Sequence, residues 1–145
     1  MFLLATQTAL DLMAGEPKIG AWASRVAHRE ISVSAISVGL IIEVINGLPP
    51  GDPARTGLSA ALNQLLGTTH AAGTLLPFDH RAARRWAELL PLALARVGTA
   101  RATVLSSEER MVVATAIEFN LILVDREQPY QATLAPLNLV TLDPY

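Results

Sequence analysis

The chain contains no cysteine. That absence excludes a disulfide framework, a thiolate nucleophile and any Cys-ligated zinc or iron–sulfur centre, and it predicts a cytoplasmic, reducing setting. Lysine is almost missing as well: Lys18 stands alone, so phosphate contacts would fall to arginine forks. A receiver-domain fold, which needs a late lysine beside its phosphorylation site, does not fit. There is no G-x-S-x-G, no G-x-x-x-x-G-K-[ST] and no G-x-G-x-x-G, which removes the commonest serine-hydrolase, P-loop and dinucleotide signatures. No apolar run reaches membrane-spanning length, and the opening Met1-Phe2-Leu3-Leu4 lacks the basic stretch of a signal peptide. Nor is there a basic excess: the net charge of −2 gives no general field for nucleic acid, so any such contact must be local.

What is present is apolar. Of 145 residues, 51% are hydrophobic and 17% charged, enough for one sizeable core but hardly two, and we read residues 1–145 as a single domain. A mean hydropathy of +0.37 in so small a chain predicts surface buried against a partner or a second copy, a homodimer being the simplest form. Nine glycines and nine prolines are scattered as punctuation, which argues against a low-complexity linker.

Phe2 to Leu4 reads as a buried strand, and Thr8 to Met13 as a short helix ending near Gly15. Pro17 opens a helix with Ile19, Trp22, Ala23 and Val26 on one face, and Ile31 to Val33 is a second strand. Ser34 or Ser37 caps a helix to about Asn46, with Gly47 as its stop. Its residues are so apolar that it reads as buried nearly all round. Asp52-Pro53 starts the next helix, which Gly67 should end. Thr74 to Phe78 reads as a strand. Asp79 caps a helix carrying Ala82, Ala83, Trp86, Leu89 and Leu90 inward, kinked or broken at Pro91, with Leu92 to Val97 as a continuation and a loop from Gly98 to Leu105. Ser106 and Glu109 form a capping box for a helix to about Phe119. Leu121 to Val124 and Asn138 to Leu142 are the last strands. Strands alternating with helices predict a mostly parallel α/β sheet, and such sheets bind ligands beyond the carboxyl ends of their strands, here Ala5, Ser34 and Asp125.

The order of these pieces resembles one family, the PIN-domain ribonucleases, and within it the VapC-type toxins of type II toxin–antitoxin systems. Leu3-Leu4-Ala5-Thr6-Gln7-Thr8-Ala9-Leu10 resembles the family's opening LLDTNVLS, and Val33-Ser34-Ala35-Ile36-Ser37 its next strand-to-helix step. Leu76-Pro77-Phe78-Asp79 with Ala82, Ala83, Trp86 and Leu89 is similar to LPFDxxAAxxWAxL, Glu109 to Ala116 to DxxIAATA, and Leu123-Val124-Asp125-Arg126-Glu127 to LVTRN. The resemblance spans nearly the whole chain. It implies a PIN-like three-layer fold, an antitoxin partner whose C-terminal segment lies near the site, dimers paired through helices, and acidic residues holding Mg²⁺ or Mn²⁺ to activate water against an RNA phosphodiester. Hard divalent cations need such oxygen ligands, and each lost carboxylate weakens the site.

The chain departs from that pattern where it counts. Ala5 stands at the first aspartate position, as a natural loss or an engineered inactivation, and Gln7 replaces an asparagine. For the second acid, an ungapped register puts Leu40 in place and fits at both ends, whereas sliding by three makes Glu43 the ligand. The resemblance gives Glu109 the third position, and Asp125 or Glu127, which flank the end of the Leu121 to Val124 strand, the fourth. The candidate metal and catalytic residues are therefore Glu43, Glu109 and Asp125, with Ala5 at the lost place. A different reading of the same residues makes Glu109 a helix cap and the chain an inactive PIN-fold protein kept for dimerisation or for binding antitoxin or RNA.

Arg81, Arg84, Arg85, Arg96 and Arg101 read either as an RNA-backbone track or as a solvated helix face paired with Glu88. His28, His70 and His80 have no i,i+4 partner and read as surface residues, and Trp22 and Trp86 as packing.

Overall fold

The computed structural model describes residues 1–94 and 105–145. Five strands, β1 (Phe2–Leu4), β2 (Ile31–Ser34), β3 (Leu75–Leu76), β4 (Ile122–Val124) and β5 (Val140–Leu142), form one sheet in the order β3-β2-β1-β4-β5. Every pairing is parallel, with Phe2 and Leu4 of β1 opposite Ile122 and Val124 of β4, and Phe2 also opposite Ile31 of β2. Around it lie α1 (Thr6–Met13), α2 (Pro17–Ala23), α3 (Ala35–Gly47), α4 (Pro53–Ala72), α5 (His80–Leu94), α6 (Ser107–Glu118) and α7 (Pro129–Leu134). The predicted α/β architecture is therefore present.

Alternation along the strands divides the core between two faces. Leu3 and Leu123 join α6 residues Val112, Val113, Ala116 and Ile117 and Leu89 of α5, whereas Leu4 and Val124 pack with Ala9, Ile19, Trp22, Ile41, Ile45 and Leu62 on the other side. Each fully buried leucine or valine contributes about 1.5–3 kcal/mol of transfer free energy. Trp22 meets Phe2 edge to face with centroids 5.3 Å apart, as a packing tryptophan should.

Local signals set most of the element ends. The Ser34 hydroxyl accepts the Ile36 N–H at 3.1 Å and caps α3; Asp52 accepts Ala54 N–H at 2.9 Å; Asp79 accepts Arg81 and Ala82 N–H groups at 3.0 Å. The capping box of Ser106 and Glu109 is complete.

Several expectations are corrected. α1 begins at Thr6 rather than Thr8, and α2 ends at Ala23, followed by a 3-10 turn at His28–Glu30. Gly47 is the last residue of α3, as expected, but Gly67 lies inside α4. α4 runs on to Ala72 and stops at Gly73, whose φ of +68° is the left-handed cap that a β-carbon disfavours. The strand expected over Thr74–Phe78 shrinks to Leu75–Leu76, squeezed between that cap and Pro77. α3 is not buried all round: Ser37, Ile41 and Ile45 face inward, but Ile42 and Val44 are 42% and 46% exposed. Pro91 lies within α5, whose span reaches Leu94. The helical continuation to Val97, Arg96, Arg101 and most of the Gly98–Leu105 loop lie outside the described residues. α7, and the 3-10 turn after it, occupy a segment without apolar periodicity.

Candidate functional site

In this strand order the chain runs outward from β1 through β2 to β3, then crosses back to β4, which makes the carboxyl ends of β1 and β4 a switch point where a crevice opens. A cavity of about 230 Å³ lies there, lined by Ala5, Thr6 and Gln7 where β1 passes into α1, by Glu109, Val112 and Val113 of α6, by Leu123 and Asp125 of β4 and its exit, and by Leu105, Gln128 and Tyr130. Ala5, Glu109 and Asp125, separated by up to 120 residues of chain, share one wall-to-wall space. Ala5 is fixed by its N–H donating to Val124 O at 3.0 Å, and its methyl is the only side chain that position offers.

Asp125 is 9% exposed and both of its oxygens are taken: Oδ1 accepts the Arg126 N–H at 2.9 Å and Oδ2 the Tyr130 hydroxyl at 2.8 Å. Burial pushes its carboxyl above the ordinary aspartate range, the two hydrogen bonds pull back, and the charges of Glu109 and Asp143 add to the rise. Burial and the Asp125 charge together push the Tyr130 phenol far up, so it stays a donor. Glu109 keeps one carboxylate oxygen on the Ser106 N–H at 3.0 Å while its own N–H donates to the Ser106 hydroxyl at 3.1 Å. The helix-cap role expected for Glu109 is thus real, and it uses part of the group's lone pairs at the cavity wall.

Glu43 is exposed on α3 and does not line the cavity. Thr6 Oγ1 lies 3.0 Å from Ser37 Oγ, so the Ser37 face of α3 is the one turned toward α1. At about 100° per residue, Leu40 falls about 60° from Ser37 and Glu43 about 120° from it. Leu40 therefore lies nearer than Glu43 to the α1-facing side of α3, and neither of them lines the cavity.

Gln7 lines the cavity but its amide donates outward to Asp11 Oδ1 at 2.8 Å. Asp11 is a hub that no motif in the chain points to: its Oδ2 accepts from Arg126 at 3.0 Å and from the Tyr145 hydroxyl at 2.8 Å, while Arg126 stacks 3.9 Å over the Tyr145 ring. Partial burial raises the Asp11 pKa, and the bonds from Gln7, Tyr145 and Arg126 more than reverse that. Tyr130 was equally silent, since a tyrosine five residues after a strand-end acid becomes meaningful only when Pro129 starts a helix.

A resident Mg²⁺ or Mn²⁺ does not fit these residues. Among the described residues no group of three His, Cys, Asp or Glu side chains could hold a metal ion. Two carboxylates meet at the cavity, one spent on two internal donors and the other half spent on a cap, beside a methyl. Among the described arginines of that group, Arg81 pairs with Asp79 at 3.0 Å, and Arg85 with Glu88 at 2.7 Å and Glu118 at 3.6 Å.

No family model matches the chain, and no curated protein sequence matches it. Solved structures do. The chain is similar to one in FitAcB from Neisseria gonorrhoeae, at 22% identity and a TM-score of 0.77, over 99% of this chain and 98% of that one. It is similar to one in VapBC2 from Rickettsia felis bound to a fragment of promoter DNA, at 14% identity and a TM-score of 0.72, over 97% and 96%. A toxin–antitoxin complex from Klebsiella pneumoniae gives 19% identity and a TM-score of 0.59, over 100% and 98%. At such identities the likeness is one of fold, and the fold is the PIN-like one that the resemblance in sequence led us to expect.

Proposed function

We propose that the chain is the toxin-fold subunit of a two-protein toxin–antitoxin complex in the cytoplasm, derived from a metal-dependent endoribonuclease but impaired as one, and retained as a binding partner. The observation that carries this is the cavity at the β1–β4 switch point: it keeps the place of an acidic site but holds Ala5, a capped Glu109 and an Asp125 satisfied from within. The partner is an antitoxin, as in the complexes whose chains share the fold. An arginine or lysine presented by it would meet fewer charges here than in a site with four acids. The exposed Ile42 and Val44 on α3 support a homodimer as the core of that complex.

The test is co-expression with the product of any short reading frame found beside this one, followed by size exclusion, alongside incubation of the purified chain with labelled RNA and Mg²⁺ or Mn²⁺. A stable complex of fixed stoichiometry and intact RNA are the expected results. RNA cleavage that stops on chelation, or calorimetric binding of Mn²⁺ by the unaltered chain, overturns the impaired-nuclease reading in favour of an active enzyme.

A further inference from the structure

The loss at position 5 is the visible departure, and the simplest expectation is that restoring an acid there restores a cation site. The hydrogen bonds around Asp125 argue otherwise. We propose that Tyr130 is a latch: by donating its hydroxyl to Asp125 Oδ2 at 2.8 Å it holds that carboxylate inside the chain's own network, so that an acid at position 5 does not by itself rebuild a divalent-cation site. The inference rests on the reading of the cavity as a former acidic site.

Three observations support the latch. Tyr130 stands at the start of α7, five residues beyond Asp125, and packs against the core cluster of β1 and α6, so its hydroxyl is held beside the carboxylate at the cavity wall. The second oxygen of Asp125 is bound to the Arg126 backbone, which no side-chain change removes, leaving Oδ2 as the one oxygen that a substitution can free. Asp125 is also only 9% exposed, so Oδ2 meets little water, and a cation that approaches it must compete with the phenol hydrogen for that oxygen. Tyr130 is in this sense a positioning residue, acting on any ligand through Asp125.

The experiment is Mn²⁺ titration by isothermal calorimetry of four full-length forms: unaltered, Ala5→Asp, Tyr130→Phe, and the double variant. Losing a hydrogen bond to a charged group is worth about an order of magnitude in an equilibrium constant, so the double variant should bind Mn²⁺ at least about tenfold more tightly than Ala5→Asp alone. Adding Asp125→Asn to the double variant should abolish that gain, which a merely structural role of Tyr130 would not produce. Phenylalanine keeps the ring's packing, and thermal melts of all forms check that each is folded; if Tyr130→Phe melts early, Tyr130→Leu and an Asp125→Asn comparison in the Ala5→Asp background take its place. Equal affinity in Ala5→Asp and in the double variant overturns the latch, as does a double variant that binds no Mn²⁺. Both outcomes are separate from the functional reading, which stands or falls on the unaltered chain.

Discussion

At the level of single residues, the site is governed by what each carboxylate already holds. Asp125 shows this in its titration. Burial raises its pKa above the ordinary 3.8, with Tyr130 and the Arg126 N–H opposing and Glu109 and Asp143 assisting. The folded protein therefore keeps the proton to a higher pH than the unfolded chain does. Between those two pKa values the native state binds more protons, so this group's contribution to stability declines as pH climbs above 3.8. Asp125→Asn removes that decline. Urea unfolding of both forms from about pH 4 to about pH 8 should show the variant gaining relative stability as pH rises; a relative loss would contradict the burial argument. Asp11 runs the other way, its folded pKa being lowered, so its contribution is present above the unfolded value and is lost as pH falls through the folded one. Much of this was legible in advance: Ala5 and Asp125 stand at strand ends, which converge in a parallel sheet whatever their separation in the chain, and Glu109 came from the resemblance of its helix to the family's. Tyr130 and Asp11 were not, because their roles depend on which turn of a short helix, or which end of the chain, arrives beside them.

Elements were readable where a side chain itself satisfies a backbone group. Ser34, Asp52, Asp79 and Ser106 each announce a helix start by a bond that needs only local geometry, and each does make it. Glycine is a weaker sign, because one inside a helix costs only about 1 kcal/mol, which tertiary packing overrides. That is why Gly67 failed as a stop while Gly73 succeeded: the decision lies in φ, which is positive at Gly73 and helical at Gly67. The two positions make opposite predictions. A β-carbon at Gly67 meets nothing within 4 Å, so Gly67→Ala should stabilise by about 0.5–1 kcal/mol. At Gly73 there is equal room but a φ of +68°, so Gly73→Ala should destabilise by about 1 kcal/mol. Thermal or urea midpoints of the pair decide it; a shared sign would mean that space, and not backbone conformation, sets the outcome.

Over the whole molecule, the parallel sheet followed from strands separated by helices, but the order β3-β2-β1-β4-β5 depends on long-range pairing that no local pattern carries. The same limit misled the reading of α3. Its composition is apolar on every side, which in isolation means burial all round, yet the sheet, α1, α4 and α6 cover only the face of Ser37, Ile41 and Ile45. An apolar residue records what a surface prefers, not whether the chain supplies the cover. Ile42 and Val44 remain 42% and 46% exposed, next to the exposed Glu43. If a second copy provides that cover, as the proposed homodimer requires, a carboxylate in place of the aliphatic Val44 removes an apolar contact and adds a further charge to be desolvated on association. Val44→Asp should therefore shift the chain to monomer in sedimentation equilibrium without lowering its melting temperature as a monomer, since the side chain lies outside both cores. An unchanged dimer would place the self-association surface elsewhere, and an unchanged monomer in both forms would leave α3 as the face that the antitoxin partner must cover.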